Sequence, residues 1–371
     1  MPLSRIAADA FGVVTICLVA TLILLGFLSI AYTLYFRSRV CSQGFLQLSY
    51  FSGPWIIRII FVLFVILWGF GELLRLSFLR RKGRALGSLD LQWQETVCKG
   101  YIVLNLGFSE PCLFLTLVLL IRAPLQKLET GILSQKWNWR TFGHVILWCS
   151  PVFVLQLFLV LIAPHLHNHK SSPNRLPSYF TTASLPVMQN SSAFCTYPLL
   201  NTIFFGVFAT ILTASFFWLG RNLLNLVINK VLYKRVYIML LCVSTLLPLR
   251  ILFLGLSVLS KPETFLFELL SFLGFVAISC CASVCIFLLV YYPVADSLSL
   301  GNIDDVEAGA KKDDLVSLLA NEEITGGGSI SFSAYEKEGT STSSLVELSL
   351  FSPTHENDRS SSLSWPSGTP Y

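Results

Sequence analysis

Trp55–Leu76 reads WIIRIIFVLFVILWGFGELLRL, with only Arg58, Glu72 and Arg75 charged. At ~1.5 Å rise per residue, a helix of this length covers a ~30 Å hydrocarbon core. In lipid every backbone N–H and C=O must be bonded within the span, so the run is read as a helix. One run of the same kind precedes it, Phe11–Leu34. Five follow: Tyr101–Ile121, Thr141–Ala163, Tyr197–Leu219, Val236–Leu259 and Leu269–Val294. The fold class expected is an all-α membrane protein, a seven-transmembrane helix bundle over residues 1–294. Seven crossings put the termini on opposite sides and place loops two and four on the N-terminal face.

Composition agrees with that reading. The chain is 54% hydrophobic and 13% charged, against roughly 25% charged in a soluble domain. Residues 1–294 carry 22 basic and 8 acidic side chains, and residues 295–371 carry 4 and 13, so a basic body precedes an acidic tail. A cationic body suits anionic head groups of a lipid bilayer. No basic groove with interleaved aromatics points to nucleic acid. The first run is 24 residues long, beyond the roughly 7–15-residue core of a cleavable signal peptide, and is read as the first helix.

Orientation follows from the loops. With the N-terminus outside, the cytoplasmic loops hold Arg37 and Arg39; Arg122, Lys127, Lys136 and Arg140; and Arg221, Lys230, Lys234 and Arg235. That obeys the positive-inside tendency. Loop two breaks it with Arg80, Arg81, Lys82, Arg84 and Lys99. Asn190-Ser191-Ser192 in loop four is a glycosylation acceptor pattern, which favours an extracellular loop. Seven of the ten cysteines fall inside the spans, where a thiol is a small apolar filler. Cys98, just before span three, and Cys195, at the end of loop four, share the N-terminal face. If that face is oxidising, the pair forms a disulfide.

A bond from the top of span three to the loop before span five is the arrangement of seven-helix G-protein-coupled receptors. Arg122, 24 residues after Cys98, lies near where such receptors keep a switch arginine. Its setting, Leu120-Ile121-Arg122-Ala123-Pro124, lacks the usual acidic-arginine-aromatic triplet, and Val290-Tyr291-Tyr292-Pro293 lacks the Asn-Pro-x-x-Tyr pattern. Phe11-Gly12-Val13-Val14-Thr15-Ile16 opens the first span. Gln43-Gly44-Phe45-Leu46-Gln47-Leu48-Ser49-Tyr50-Phe51-Ser52-Gly53-Pro54-Trp55 leads into the second. On these segments the chain resembles the plant candidate G-protein-coupled receptor family, over the membrane body and not the tail. The resemblance implies a plasma-membrane receptor that engages a heterotrimeric G-protein α subunit, with melatonin as a proposed small-molecule ligand of the family. It carries over no functional residues.

Charges inside the spans are the candidate site. Glu110 lies near the middle of span three, Arg250 lies two residues after Pro248 in span six, and Glu72 and Arg75 lie three apart near the outer end of span two. Charges at bilayer depth face partners or cavities. These four either pair structurally, Glu110 with Arg250, or form the polar floor of a ligand pocket. Asn105, His144 and Asn201 are read as interhelical hydrogen bonds, and Arg58 as snorkelling to the boundary. His165, His167 and His169 alternate in loop four, so an extended strand would set all three on one side as metal ligands; the other reading is a solvated loop. With no phosphate loop and no nucleophile elbow, neither an enzyme nor a cofactor is expected. A multi-pass transporter or a non-signalling scaffold or trafficking protein is the alternative function.

Residues 295–371 hold 21 Ser or Thr in 77 positions, with Gly326-Gly327-Gly328 and Ser360-Ser361-Ser362. This composition reads as a disordered cytoplasmic tail. Asp314, Leu318 and Leu319 match an acidic dileucine signal for a clathrin adaptor, or else lie on a short amphipathic helix. Ser352-Pro353 suits a proline-directed kinase. Arg122, Arg221, Lys230, Lys234 and Arg235 are the candidate G-protein-facing residues.

Overall fold

The computed structural model describes residues 2–42, 55–76, 90–130, 135–169, 184–187, 192–260 and 264–295. Among these residues, seven helices are long and apolar enough to cross a membrane. Helix α1 is Pro2–Ser42 and α2 is Trp55–Arg75. Helix α3 joins Leu91–Leu104, a π-helical turn Asn105–Ser109, and Glu110–Thr130. Helix α4 is Gln135–His169, α5 is Leu199–Leu226 and α6 is Lys230–Leu259. Helix α7 is Phe265–Ile286, continued by the π-helical turn Phe287–Tyr291. Strands β1 (Ser184–Val187) and β2 (Ser192–Cys195) pair antiparallel between α4 and α5, with Ser184 opposite Cys195.

The apolar spacing explains which faces meet. In α2, Ile57, Phe61, Phe64, Trp68, Glu72 and Arg75 are buried at intervals of three or four residues, while Leu63, Leu67, Phe70 and Leu74 are exposed. One stripe therefore packs inward, and the rest of the helix shows hydrocarbon, as a lipid-facing helix does. Helix α3 is the central one: 78% of its most apolar window is buried, against 28% for α1 and for α4.

Contacts fix which helix ends lie together. At one end Phe11 of α1 stacks on Phe272 of α7, and Cys98 of α3 is bonded to Cys195. At the other, Arg37 of α1 lies 3.7 Å over the Trp55 ring of α2, Tyr32 of α1 stacks on Tyr291 of α7, and Arg235 of α6 lies 4.4 Å over the Tyr292 ring. Strand β2 packs against the first part of α3, so the ribbon lies over the Cys98 end.

Several expectations need correction. Helix α3 starts ten residues before Tyr101, because Glu95 and Lys99, one turn apart, form a 2.8 Å ion pair on a helical surface. Cys98 is thus inside the helix and not ahead of it. Helix α4 runs through His169. His165, His167 and His169 lie inside that helix and not on an extended strand, so the strand that would set them on one side does not form. No group of three metal-ligating side chains occurs among the described residues. Between α5 and α6 both helices extend inward, and only Val227–Asn229 leave the helical path; there the Asn229 side chain accepts the Val231 N–H at 2.9 Å and caps α6. Asn190, the tail from residue 296, and with it Asp314, Leu318 and Leu319, lie outside the described residues.

The Cys98–Cys195 bond closes a separation of 97 residues. Cys98→Ser and Cys195→Ser are each expected to lower stability by roughly 2–5 kcal/mol. The double variant should be no worse than either single one, because each loses the same bond. Thermal unfolding of the three variants in detergent checks this, and additive losses would show two independent roles.

Candidate functional site

Arg250 occupies the middle of the bundle and is fully buried, as are Glu72 and Glu110. Its NH2 nitrogen donates to Glu110 Oε1 at 2.7 Å and to Glu72 Oε1 at 3.1 Å. One guanidinium on α6 thereby joins carboxylates on α2 and α3. Glu72 accepts three further hydrogen bonds. Tyr101 O–H donates to Oε1 at 3.1 Å, Asn105 Nδ2 donates to Oε1 at 3.2 Å, and Arg75 Nε donates to Oε2 at 3.0 Å. Trp68 Nε1 donates to Glu110 Oε1 at 3.0 Å. Arg75 NH1 also donates to Ser271 Oγ on α7. Two arginines and two glutamates give no net charge, and α2, α3, α6 and α7 are all joined through them.

The local backbone makes this convergence possible. In a regular α-helix, residues five apart lie about 140° apart around the axis. Asn105 and Glu110 are five apart, yet both reach the cluster. The π-helical turn resolves this: the Glu110 N–H donates to the Asn105 carbonyl, an i to i+5 bond that brings the two nearly into line. Gly71 lets α3 approach α2, since a Cβ there would sit 2.5 Å from Asn105 Oδ1. Gly274 does the same for Arg250, with NH1 3.3 Å from where its Cβ would be. Trp68 stacks on Phe275 of α7, 5.6 Å between centroids, which holds the indole N–H toward Glu110.

A tyrosine pair closes the cluster on the disulfide side. Tyr101 O–H and Tyr197 O–H lie 2.8 Å apart. Tyr101 gives its proton to Glu72, so Tyr197 donates to Tyr101. Tyr197 is two residues after Cys195, so the disulfide anchors this lid. Three buried atoms in the cluster, Arg250 Nε, Arg250 NH1 and Glu110 Oε2, have no hydrogen-bond partner among the described residues. Such groups mark places where a water or a polar ligand group can bind.

The four charged residues singled out in the sequence thus meet in one place. Tyr101, Trp68, Tyr197 and Ser271 were missed, since an aromatic or a serine in an apolar span looks like packing. Asn105 makes the interhelical bond expected of it. So does Asn201, whose Nδ2 donates to Gln156 Oε1 across α4 and α5. His144 does not: it is exposed, and its Nδ1 meets the Arg140 carbonyl of its own helix. The Arg58 Nε is buried without a partner among the described residues. Arg122, Arg221, Lys230 and Lys234 are exposed at the end opposite the disulfide, while Arg235 is half-buried on Tyr292.

Residues 1–307 match the family described as Uncharacterised conserved protein UCP031277, and the chain belongs to that family. No curated protein matches the chain.

Arg250 has two carboxylate partners, and this sets the mutational expectation. Arg250→Gln leaves both carboxylates buried together and should cost about 3–5 kcal/mol. Were Glu110 the sole partner, exchanging the charges, Glu110→Arg with Arg250→Glu, would restore folding. Here the exchange sets a new carboxylate where Arg250 meets Glu72, so no recovery is expected. Detergent-extracted yield and melting temperature of the exchanged protein decide it; wild-type values would mean that Glu72 does not share Arg250.

Proposed function

We propose that this chain is a receptor-like signalling protein of the plasma membrane. In this reading its seven helices cross the bilayer, with the N-terminus outside and the acidic tail in the cytoplasm. It senses a small ligand and couples to a heterotrimeric G-protein α subunit. The observation that carries the reading is the neutral ionic cluster beneath the disulfide-anchored tyrosine lid. Ionisable groups at bilayer depth are costly and mark function more often than scaffolding. The cluster joins the same four helices whose relative positions a receptor must control.

The disulfide supports this orientation. It needs an oxidising face, and the N-terminal ends of α1, α3, α5 and α7 lie at its end of the bundle. The mechanism follows from the bonding. A ligand entering from that face meets Tyr197 and then the unpartnered edges of Arg250 and Glu110. If it accepts from Arg250 or donates to Glu110, it competes with the bonds that hold α6 to α2 and α3. Only that differential affinity can shift the equilibrium between two helix arrangements. Movement of α6 then reaches Lys230, Lys234 and Arg235 at its other end, where a G-protein α subunit would read it. A transporter is the second reading, favoured by the same unpartnered atoms, which would serve as an ion relay.

Purified protein in nanodiscs, with G-protein α subunit and melatonin as first probe, should accelerate nucleotide exchange by about fivefold or more, the low end of ordinary allosteric coupling. Absence of exchange together with ion flux in proteoliposomes would replace the receptor by the transporter. An epitope tag after Tyr371 should be reached by antibody only in permeabilised cells; labelling of intact cells would invert the topology.

A further inference from the structure

The end of the bundle opposite the disulfide is almost uniformly basic. By helix position it carries Arg37, Arg39, Arg58, Arg122, Lys127, Lys136, Arg140, Arg221, Lys230, Lys234 and Arg235. Glu129 is its single acidic residue in the helices. Arg122, Arg140, Arg221, Lys230 and Lys234 are exposed. The net charge of this end is +10, while the other end and the ionic cluster carry the remaining +4 of the body. Helix α7 finishes here too, as Tyr291 on Tyr32 and Tyr292 under Arg235 show. The chain therefore leaves the bundle at its basic end and continues for 76 residues, with 13 acidic and 4 basic side chains, net −9.

We propose that this basic end is the docking surface for the chain's own acidic segment, residues 296–323. Charge and connectivity select that occupant over others. The segment holds Asp296, Asp304, Asp305, Glu307, Asp313, Asp314, Glu322 and Glu323 against only Lys311 and Lys312. Asp304 is nine residues past Ala295, within about 30 Å along an extended chain. That reaches any helix end of the bundle, whose neighbours pack at ~8–10 Å. A tethered acid stands at an effective concentration near millimolar, which a free acidic partner must exceed. The segment's net −6 offsets more than half of the +10 of this end, so docking masks most of the charge that a partner protein would otherwise meet. Phosphate on Ser299 or Ser317 adds roughly −1.5 to −2 each and tightens the contact, which makes tail phosphorylation an off-switch for this surface. The docking rests on charge and connectivity alone, so it stands or falls independently of the signalling reading.

A carbodiimide tests it, because the reagent joins a lysine amine only to a carboxylate already in contact with it. The full-length protein is placed singly in neutral phosphatidylcholine nanodiscs, treated at about 50 mM and about 500 mM salt, and mapped by mass spectrometry. Amide links from Lys230 and Lys234 to carboxylates of 296–323 are expected at low salt. They should fall several-fold at high salt, where the Debye length shrinks from more than 10 Å to a few ångströms. The variant Arg122→Gln, Arg140→Gln, Arg221→Gln keeps both reactive lysines and should lower the yield several-fold. Links that are missing at low salt, or that ignore both salt and the triple variant, would overturn the proposal. Links that vanish when a third of the lipid is phosphatidylserine would also overturn it, because anionic head groups would then be the occupant.

Discussion

A guanidinium shared by two carboxylates on two other helices is the constraint on which the rest of this structure depends. Arg250 cannot be left alone inside the bundle, where breaking a buried pair costs roughly 3–5 kcal/mol. It reaches both Glu72 and Glu110 from one nitrogen. Two carboxylates would then repel each other across a short distance, and one cation cannot offset both. Arg75, bonded to Glu72 at 3.0 Å, supplies the second positive charge. Trp68, Tyr101 and Asn105 supply neutral donors to the same oxygens. Small residues at 71 and 274 and the π-helical turn of α3 are the backbone's accommodation to that demand.

The arrangement also divides the molecule along its axis. On one side of the cluster lie Tyr197, the disulfide and the ribbon, which fix the helix ends covalently. On the other lie cationic helix ends held by ring contacts such as Arg37 on Trp55 and Arg235 on Tyr292. Contacts of that kind are worth ~0.5–2 kcal/mol each and can be exchanged singly. A disulfide cannot be exchanged without chemistry. The covalent tie therefore lies on one side of the ionic cluster and the exchangeable ring contacts on the other. The Gln156–Asn201 bond couples α4 and α5 on a separate line, outside this cluster.

Much of this was legible in the chain. Length and hydropathy placed all seven helices, because lipid leaves an apolar run of 20 residues no other backbone solution. The pairing of Glu110 with Arg250 was also legible, since a charge in such a run demands a partner. The third participant was not. Glu72 was grouped with the other three as one candidate cluster, but nothing in the sequence says that it shares Arg250 with Glu110. The π-helical turn leaves no periodicity signal, as one wide turn in Asn105–Ser109 shifts the phase by less than a window can detect. Tyr101 and Tyr197 were read as span ends because their rings are apolar; only geometry shows that their hydroxyls meet. Two other readings failed: His165–His169 were placed in a loop, and His144 was read as an interhelical hydrogen bond. There the helix continues through them, or the side chain turns back on its own backbone.

The bonding pattern limits how such a cluster can act. Glu72 accepts four hydrogen bonds, whereas Glu110 accepts two and leaves Oε2 unpartnered among the described residues. Breaking Arg250 from Glu72 leaves that carboxylate with Arg75, Tyr101 and Asn105, still neutralised and well bonded. Breaking Arg250 from Glu110 leaves only an indole N–H, which carries no charge. The α6–α2 bond is thus the easier to release, and the α6–α3 bond the harder. Any displacement of α6 that conserves charge must keep Arg250 on Glu110 and let go of Glu72, so α6 pivots on α3 while Tyr101 and Asn105 keep α3 tied to α2. A ligand that shifts the bundle by supplying its own anion to Arg250 would have to replace Glu110 to reverse that order. A neutral ligand that meets Oε2 of Glu110 need not do so, because it acts at an atom the resting network leaves unused.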